Sequence, residues 1–435
     1  MTGFAGLASC VHCGFCLQSC PTFLVTGDEA DGPRGRIVLM QQLARGDLLP
    51  DDRGLTLHLD RCLGCRACEP VCPSGVEYGP ALEAARERIA TRRPVSPLAR
   101  LVLHVMAQPM VRQPVLRVAR ILRPLAARLA GRSRLGFGVG MLAASRRVGG
   151  RLGGRADGRL GGRAGEWMLE SAAPPAHPPI RRTAIFAGCI QSDLFSHVNA
   201  AAARTLTANG MPMVPVASQG CCGALHAHAG LLDDARVLAR ANVRAFAAAP
   251  DALIAVTAAG CGAMLRGYGE LLADDPLAPA AEDLATRVRD VTELLADTGP
   301  RRGAALHLRV AYDAPCHLVH AQRITDPPRT VLAAIPALDV TPHEEADVCC
   351  GSAGIYSLLE PALSRAVLRR KVDALLAVAP DIVATGNPGC VMQIGAGLRA
   401  AGVRTPVVHP VELLDRSYAL AGFYGDPGVD SPDDA

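Results

Sequence analysis

Lysine is almost absent from this sequence: Lys371 is the only one among 45 basic residues, and aromatic residues make up 3% of the chain. The dominance of arginine is typical of a coding bias and indicates little about function. Apolar runs of the roughly 18 residues that span a bilayer are also missing. The opening residues, MTGFAGLASC, lack the basic stretch and the long apolar core of a signal peptide. We therefore expect a cytoplasmic protein, with peripheral attachment to the inner face of the cytoplasmic membrane as an open alternative.

Motifs for organic cofactors and nucleic acids are missing as well. No G-x-G-x-x-G follows an apolar strand and opens a helix, which argues against a flavin or nicotinamide site in this chain. The Gly/Arg tract of its basic part has no aromatic residues interleaved with the arginines, so nucleic acid is not expected as a partner. With 435 residues, of which 49% are apolar and 20% charged, the chain is suited to two or three globular domains.

Cysteine, by contrast, is abundant, with 16 residues. In a cytoplasmic protein this number favours metal sites over disulfides. Two segments, CVHCGFCLQSCP (10–21) and CLGCRACEPVCP (62–73), share the spacing C-x2-C-x2-C-x3-C-P. That spacing is typical of iron–sulfur clusters held by thiolates, whereas zinc sites normally pair two C-x2-C knuckles. The two runs therefore predict two [4Fe–4S] clusters.

The fourth cysteine of each run stands apart from its triplet, and in two-cluster ferredoxins it ligates the other cluster. Between the runs, DGPRGRI (31–37) predicts a turn and the start of a helix that ends near Gly46. Arg34 and Arg36 in this segment either stabilise cluster charge, steer a partner, or are solvated surface residues. We predict crossed ligand sets: Cys10, Cys13, Cys16 and Cys72 for the first cluster, and Cys20, Cys62, Cys65 and Cys68 for the second.

Residues 92–180 differ from the rest of the chain in charge. Sixteen arginines and one acidic residue, Asp157, lie between Arg92 and Arg163, so this stretch carries +15 whereas the whole chain carries +4. Two predicted amphipathic helices, LARLVLHVMAQPM and VLRVARILRPLAARLAG, precede a Gly/Arg tract and a Pro-rich linker. The pattern fits a helical connector packed on the chain's own acidic surface, or a surface for an anionic membrane or an acidic partner.

Residues 183–421 contain an internal duplication, because corresponding cysteines recur 127 to 129 residues apart. Each copy alternates short apolar strands with helices, which predicts βαβ units and a parallel sheet. Its cysteines fall at predicted strand ends or in glycine-containing loops, where ligands gather in α/β folds. They are either buried thiols without metal or ligands of one or two further iron–sulfur clusters. The candidates are Cys189, Cys221, Cys222 and Cys261 in the first copy, and Cys316, Cys349, Cys350 and Cys390 in the second.

Taken together, these motifs resemble the iron–sulfur subunit of bacterial glycolate oxidase. The resemblance rests on CVHCGFC, DGPRGRI, HLDRCLGCRACEPVCPSGVEYG, GCCGA, the Gly-Cys pair at 260–261 and CCGSAGIYSL, and it covers nearly the whole chain. The repeats are similar to the CCG domains of heterodisulfide reductases and lactate-utilisation proteins. This resemblance implies electron transfer: a flavin-containing 2-hydroxy acid oxidase subunit oxidises glycolate to glyoxylate. The chain itself passes the electrons toward the respiratory chain, with quinone as a candidate partner.

The sequence departs from the fullest CCG pattern, which ends in C-x-x-C. Met264 and Gln393 stand where that pattern has its last cysteine, so a five-cysteine non-cubane cluster does not follow directly. His317 and His409 are candidates for an extra ligand, although a structural hydrogen bond is the commoner role. Three alternatives stay open: a subunit of a D-lactate or other 2-hydroxy acid oxidase, a CCG-type disulfide or quinone reductase, and a zinc scaffold.

The expected fold class is α+β and multidomain, with a helical two-cluster ferredoxin-like domain followed by duplicated α/β CCG domains with parallel sheets. The chain is expected to serve an oxidoreductase complex without a catalytic residue of its own. The predicted segments are 1–91 for the ferredoxin-type domain, 92–180 for the basic connector and flexible linker, 181–299 and 300–421 for the CCG domains, and 422–435 for the tail.

Overall fold

The computed structural model describes residues 2–129, 131, 133–146 and 181–424. The first part of the chain is helical, and its cysteines lie in the loops between helices. Its helices are α1 (Pro21–Thr26), α2 (Pro33–Arg45), α3 (Arg53–Asp60) and α4 (Tyr78–Arg92), with short 3₁₀ segments at Thr2–Leu7, Phe15–Leu17 and Glu29–Asp31.

The helices of this first part bury one apolar face each. In α2, Ile37, Met40 and Leu43 point inward at helical spacing, and the helix ends as predicted where Gly46 adopts a φ of 85°. The N-cap of α3 is Asp52, whose carboxylate accepts from the Leu55 N–H. These apolar faces meet in one cluster that excludes water from beneath the cysteine loops.

Three helices follow in the basic segment, and they extend along the surface of the later repeats. Ser96 caps the first of them by accepting from the Ala99 N–H. The second continues through Pro114 and Pro124. They are α5 (Pro97–Ala107), α6 (Pro109–Leu129) and α7 (Arg134–Ala144).

The first repeat is built on three parallel strands in the order β1-β2-β3. Met213 extends the sheet next to β1 by a single parallel bridge to Thr183. Its strands are β1 (Thr183–Ile185), β2 (Leu253–Val256) and β3 (Val288–Asp290). Its helices are α8 (Ile190–Leu194), α9 (Ser196–Ala208), α10 (Ala224–His228), α11 (Leu232–Phe246), α12 (Ala259–Arg266), α13 (Tyr268–Leu271), α14 (Ala278–Arg287) and α15 (Val291–Thr298).

The second repeat has four parallel strands in the order β5-β4-β6-β7, with β5 in the place that Met213 takes in the first. Its strands are β4 (Leu308–Tyr312), β5 (Leu338–Thr341), β6 (Ile382–Ala384) and β7 (Val407–Val408). Its helices are α16 (Pro327–Ala333), α17 (Tyr356–Leu359), α18 (Pro361–Val378), α19 (Pro388–Ala400) and α20 (Pro410–Leu420), with a π-helical turn at His317–Ala321. The predicted α+β class and parallel sheets are confirmed.

The two repeats pack reciprocally on each other. Helix α9, after the first strand of one copy, packs on α20, the closing helix of the other. Helix α16, after the first strand of the second copy, packs on α15, which closes the first. Val198 and Leu294 of the first repeat therefore share one buried cluster with Leu332 and Leu414 of the second. The duplication accordingly generates one core that both repeats share, and the first repeat keeps a second core of its own around Phe186, Phe246 and Tyr268.

The basic segment packs on the chain's own surface, as one of its two predicted roles requires. Arg112 of α6 is 3% exposed and its Nε lies 2.6 Å from the Asp193 carboxylate. Helix α7 packs on α19 so closely that a Cβ on Gly395 would lie 2.5 Å from that of Ala144. The Gly/Arg tract, the Pro-rich linker and residues 425–435 lie outside the described residues. Among the residues that the structure describes, no helix is both long enough and apolar enough to cross a membrane.

Candidate iron–sulfur and thiol sites

The two cysteine triplets form loops with matching backbones. In the first loop, His12 and Gly14 adopt φ values of 55° and 85°, and in the second Gly64 and Arg66 adopt 63° and 60°. Side chains other than glycine rarely take this conformation, so His12 and Arg66 each cost about 1 kcal/mol or more. The same pair of left-handed positions curls both loops around a common centre, and this strain persists only because the surroundings hold the loops.

Two neighbouring cavities lie inside these loops. The structure thus brings together the thiols that the crossed assignment groups, with the fourth cysteine of each run facing the triplet of the other. Cys68 lines both cavities, so the two are in direct proximity. The first is lined by Cys10, Cys13, Cys16 and Cys72, and the second by Cys20, Cys62, Cys65 and Cys68. Which thiols bind metal stays a prediction.

The chemistry of these thiols fits a metal cluster. Burial raises the pKa of Cys68 well above the usual range, and the nearby Cys65 and Cys62 raise it further. Burial likewise raises the pKa of Cys16 to about 11. Crowded, buried thiols of this kind lose their protons only when a bound cation compensates the charge. Four thiols around each cavity are the ligand set that a [4Fe–4S] cluster takes.

Several groups hydrogen-bond to the sulfur atoms. The Gly64 N–H and the Tyr78 hydroxyl each donate to Cys62 Sγ at 3.5 Å, and the Val76 N–H donates to Cys72 Sγ at 3.5 Å. Burial alone would raise the pKa of Cys62, but the positive charge of Arg36 and other donors hold it below the usual range. Donors of this kind stabilise thiolates and shift the reduction potential of a bound cluster upward.

Arg36 and Arg34 from the DGPRGRI segment have different surroundings. Arg36 is 1% exposed and donates to the His58 carbonyl oxygen at 2.7 Å, and its second nitrogen lies 3.8 Å from Cys20 Sγ. The Asp31 carboxylate, fully buried, balances its charge from 3.8 Å. Arg34 lies at the surface, paired with Glu29 at 2.7 Å. Arg36 is therefore not a solvated surface residue, and its role in stabilising cluster charge stays a prediction.

The second repeat brings its four cysteines into one chain of contacting thiols. Cys350 Sγ donates to Cys390 Sγ at 3.3 Å. Cys349 forms hydrogen bonds to Cys316 on one side and Cys350 on the other. Asn387 donates to Cys390 Sγ at 3.6 Å. Cys316 and Cys390 come shortly after β4 and β6, and Cys349 and Cys350 lie in the loop after β5. The sheet edge predicted as a ligand site is therefore where the four thiols meet.

The first repeat contains the same chain of thiols. Cys221 is hydrogen-bonded to Cys189 and Cys222, and Cys222 to Cys261. The bond from Cys221, together with burial, raises the pKa of Cys189 well above the usual range, although Arg112 opposes this. Helix α6 therefore places a buried cation near this site. Both sets of four predicted cysteines are brought together by the fold.

The only lysine of the chain lies behind the thiols of the second repeat. Lys371 is 1% exposed, and its ammonium contacts the Asp313 carboxylate and the Glu345 carbonyl oxygen. Thr385 donates to the other carboxylate oxygen of Asp313 at 3.2 Å. Burial raises the pKa of Asp313 to about 6, although Lys371 opposes this. The contacts with the Cys349 and Cys390 thiols, then the Ser352 N–H and the charge of Lys371, lower the pKa of Cys350 well below the usual range.

The sites lie close to one another. Leu63 and Cys65 of the second ferredoxin loop pack in one apolar cluster with Cys316 and Cys349. His317, next to Cys316, has its Nε2 3.0 Å from the Gly64 carbonyl oxygen.

The two repeats are joined in the same region. Asn387, which donates to Cys390, also accepts from the Gly260 N–H at 3.3 Å, and Gly260 precedes Cys261. The His317 ring lies 5.3 Å from that of His228 in the first repeat. One polar and aromatic junction thus connects the second ferredoxin cavity with both repeat sites.

The residues at the missing fifth positions do not replace a thiolate. Met264 packs in the apolar core of the first repeat, and Gln393, fully buried, donates to Ser364 Oγ at 2.9 Å. His409 caps α20, because its Nδ1 accepts from the Val411 N–H at 3.0 Å. His409 and His317 therefore both take the structural hydrogen-bonding role that the sequence predicted as the commoner one.

Sequence reasoning missed Lys371 and Asp313 as site residues. Two signals were present: Lys371 is unique in the chain, and Asp313 stands three residues before a ligand candidate, Cys316. The contribution of Arg112 carried no comparable signal, since its contact with the first repeat joins parts of the chain 81 residues apart.

Comparisons with known proteins define the class first. The 4Fe-4S dicluster domain family matches residues 6–76, and the Cysteine-rich domain family, CCG, matches 183–266 and 310–395. The chain is therefore an iron–sulfur protein with two [4Fe–4S] clusters followed by two cysteine-rich domains. These matches fall inside three of the predicted segments, whose exact limits stay predictions.

Whole-chain relatives identify the family. The chain is 34% identical to the probable glycolate oxidase iron-sulfur subunit of Bacillus subtilis over 94% of its length and 93% of that protein. It is 33% identical to the glycolate oxidase iron-sulfur subunit of Escherichia coli, over 94% of each. It is also 28% identical to lactate utilization protein A of Shouchella clausii, over 53% of this chain and 97% of that protein. The chain belongs to the family of glycolate oxidase iron–sulfur subunits, and this membership implies partner subunits.

Proposed function

We propose that this chain is the electron-transfer subunit of a glycolate oxidase complex. A flavoprotein partner oxidises glycolate to glyoxylate, and this chain carries the electrons from that partner toward the respiratory chain. The observation that carries the proposal is a sequence identity of at least 33% to glycolate oxidase iron–sulfur subunits over 94% of the chain. The gathering of all 16 cysteines into four sites supports it, because an electron carrier needs several neighbouring redox centres.

The clusters supply one-electron chemistry when bound, and the chain's residues hold and surround them. We assign the first cavity's thiols to one [4Fe–4S] cluster and the second cavity's thiols to the other. Each repeat offers four further thiols for an additional cluster. Cys72→Ser should then change the same EPR signal as Cys13→Ser, and Cys20→Ser should change the other. If each serine variant instead alters the signal of its own run, the crossed assignment is wrong.

The flavoprotein docks, in this proposal, at the first cluster. Cys13 is the exposed member of its ligand set, and two large apolar side chains beside it, Val11 and Phe15, are 69% and 66% exposed. Exposed apolar groups next to a redox site suit a partner surface that must exclude water. The second cavity lies deeper, against the repeats, so electrons that enter at the first cluster move toward the interior.

Helix α6 provides a surface for an anionic membrane. Its exposed apolar side chains recur at helical spacing along one face, and exposed arginines flank them. Each arginine near such a surface contributes about 1 kcal/mol, fading beyond the Debye length. The exposed apolar residues are Met110, Val111, Val115, Val118, Ile121, Leu122 and Leu125, and the exposed arginines are Arg117, Arg120 and Arg128.

Vesicle sedimentation tests this surface. The protein should bind phosphatidylglycerol vesicles, and high salt should release it. Ile121→Asp should weaken binding at least tenfold, whereas Leu420→Asp, which changes another exposed apolar residue, on α20, should not; Ile121 is 77% and Leu420 51% exposed. Binding that ignores salt, or equal loss in both variants, would contradict the membrane role.

A second candidate function is the same electron-transfer role in an oxidase of D-lactate or another 2-hydroxy acid. The likeness to a lactate utilization protein favours it, although that likeness covers only 53% of the chain. A CCG-type disulfide or quinone reductase is the remaining alternative.

Purification with the native partner decides among these functions. The protein should co-purify with a flavoprotein that reduces a dye on glycolate faster than on D-lactate. Preference for D-lactate would favour the second candidate. Reduction of a disulfide by the isolated, reduced chain would favour the third.

A further inference from the structure

The two ferredoxin cavities differ in the charged side chains around them. Arg34 is the one arginine among the described residues that line the first cavity. Its side chain is 33% exposed, and its Nε lies 2.7 Å from the Glu29 carboxylate. Because the two opposite charges are paired and reached by solvent, they exert little net field on the first cavity.

The second cavity is lined by a buried arginine instead. Arg36 Nη1 lies within hydrogen-bond reach of Cys20 Sγ at 3.8 Å and donates to Thr22 Oγ1 at 3.1 Å. The Thr22 hydroxyl donates its own proton to the Asp31 carbonyl oxygen at 2.8 Å, so it is free to accept from Arg36. These bonds fix the guanidinium beside the sulfur atom of a predicted ligand of the second cluster.

The carboxylate nearest to Arg36 is held by other partners. Asp31 has Arg61 Nη1 2.9 Å from one carboxylate oxygen and His58 Nδ1 2.8 Å from the other, whereas Arg36 Nη2 lies 3.8 Å away. Glu360 also attracts Arg61, but it forms no ion pair within 4 Å among the described residues. One buried carboxylate thus faces two guanidinium groups, which leaves an excess of positive charge beside the second cavity.

Two further arginines adjoin this cavity. Arg66 is neutralised by Glu69, whose carboxylate lies 2.8 Å from it. Arg86 donates to the Cys62 carbonyl oxygen at 2.7 Å. Burial would raise the pKa of the Cys62 thiol, but the charges of Arg36 and then Arg86 hold it below the usual range. Positive charges that favour a thiolate in this way also favour the additional electron of a reduced cluster.

We propose that Arg36 holds the reduction potential of the second cluster above that of the first, and so directs electrons inward. Deep burial alone would act in the opposite direction, because a reduced cluster carries an additional negative charge that an apolar site disfavours. The buried guanidinium beside Cys20 offsets this cost, since charges interact more strongly in the interior than at the surface.

The proposal rests on the electron-transfer function proposed above and names the residue that sets its direction. The step balances as a simple electron transfer. One electron passes from the first cluster, which is oxidised, to the second cluster, which is reduced, and no bond or proton is exchanged.

The test is a potentiometric titration of the anaerobically purified full chain, followed by EPR. Cys65→Ser identifies the signal of the second cluster, because Cys65 belongs to this cluster whether or not the fourth cysteines are crossed. In the unaltered protein this signal should have the higher midpoint potential. Arg36→Gln should lower the equilibrium constant for its reduction at least tenfold, which is about 59 mV for one electron. Arg36→Lys keeps the charge and should retain most of the original potential.

Two further variants complete the comparison. Asp31→Asn removes the negative charge beside Arg36 and should raise the potential of the second cluster, which tests the charge effect even if Arg36→Gln fails to bind this cluster. Arg45→Gln makes the same charge change as Arg36→Gln at an exposed site of the same helix, and it should shift neither potential. Iron content shows whether each variant carries its clusters.

The outcomes separate this inference from the function it rests on. Opposite shifts in Arg36→Gln and Asp31→Asn, with Arg45→Gln unchanged, support it. A second-cluster potential below that of the first in the unaltered protein, no shift in Asp31→Asn, or equal shifts in Arg36→Gln and Arg36→Lys overturn it. The titrations use a chemical reductant and no glycolate. Absence of glycolate-dependent dye reduction by the unaltered complex would therefore reject the proposed function and not the role of Arg36.

Discussion

The two repeats hold their cysteines on the same scaffold but surround them with different charges. Counted back from the first cysteine, Asp313 of the second repeat aligns with Phe186 of the first. Ser364 and Ala235 face the loop glycines of the second and the first repeat. The seventh residue after each is Lys371 in the second repeat and Asn242 in the first, so these two positions align. The buried ion pair of the second repeat is therefore replaced in the first by an apolar side chain and a neutral amide.

The neutral pair of the first repeat serves the backbone instead. Asn242 donates to the Cys221 carbonyl oxygen at 2.9 Å and accepts from the Gly220 N–H at 2.9 Å. The positive charge near this site comes from Arg112, on a helix outside the repeat. A duplicated fold can thus keep the geometry of its thiols and change the electrostatic field around them with two substitutions.

The largest expected effect is loss of iron from either repeat. Anaerobically purified protein should hold more than the roughly eight iron atoms of two [4Fe–4S] clusters. Replacing both Cys221 and Cys222 with alanine should lower the iron content and leave the ferredoxin EPR signals unchanged. Replacing Cys349 and Cys350 should also lower it, and should alter the signal of the second cluster, because Cys349 packs beside that loop. Eight iron atoms in all three proteins would mean that neither repeat holds a cluster.

The next largest effect tests the buried ion pair. Lys371→Met leaves the Asp313 carboxylate buried without its partner and should lower the free energy of unfolding by about 3–5 kcal/mol. Adding Asp313→Leu should restore most of that loss, since two apolar residues replace a complete pair at little cost. Guanidinium unfolding of both single variants and the double variant gives the coupling free energy. Additive losses would show that the pair contributes no coupling.

A smaller effect is expected on stability as the pH changes, and it should differ in sign between the closing helices α15 and α20. Both have a capping box, with Asp290 and Glu293 in the first repeat and His409 and Glu412 in the second. Burial raises the pKa of Asp290 to about 6 and lowers that of His409, beside His197, to about 3. Acidification therefore removes stability through His409 below its unfolded pKa near 6.5, and restores stability through Asp290 as pH falls through about 6.

Asparagine at each N-cap keeps the cap and removes the titration. Between pH 8 and pH 5.5, His409→Asn should lose about 1 kcal/mol less stability than the unaltered protein, and Asp290→Asn about 1 kcal/mol more. Urea midpoints at the two pH values measure this. Shifts of the same sign in both variants would contradict the opposite titration of the two caps.

The smallest effect concerns the contact of the second repeat with the ferredoxin domain. The Tyr356 hydroxyl donates to the Arg61 carbonyl oxygen at 3.0 Å, so Tyr356→Phe should destabilise the protein by about 1 kcal/mol. The Tyr312 hydroxyl is buried without a hydrogen-bond partner among the described residues. Tyr312→Phe should therefore be neutral or stabilising, and an equal loss in both would assign the effect to the ring environment.

Spacing in the sequence was sufficient to predict which thiols come together. Short intervals bring the three cysteines of each triplet into one loop. The crossed fourth cysteines followed from the pattern of two-cluster ferredoxins, and the repeat cysteines from the way strand ends meet at one edge of a parallel sheet. The capping boxes were not predicted from the sequence. Asp290 carried a signal, since it precedes Glu293 by three residues, whereas histidine is not a usual N-cap residue and His409 carried none. Helix α2 and its glycine end followed from the same kind of local signal.

The surroundings of the thiols were not readable in this way. Helix α5 packs on α10, more than 100 residues later in the chain, and no local pattern encodes that contact. The burial of Arg36 depends on Asp31 and on the His58 carbonyl meeting it from separate elements. Which of several arginines or histidines is buried is decided by tertiary packing, and a single sequence does not contain that information.

The position of Lys371 has a practical consequence. It is the only side-chain amine of the 435-residue chain, and in the folded protein it is 1% exposed. An amine-directed acylating reagent should therefore leave every side chain untouched until the second repeat opens. The rate at which this one position becomes labelled would report local opening of that core, in a protein whose colour and magnetism report only on its metal.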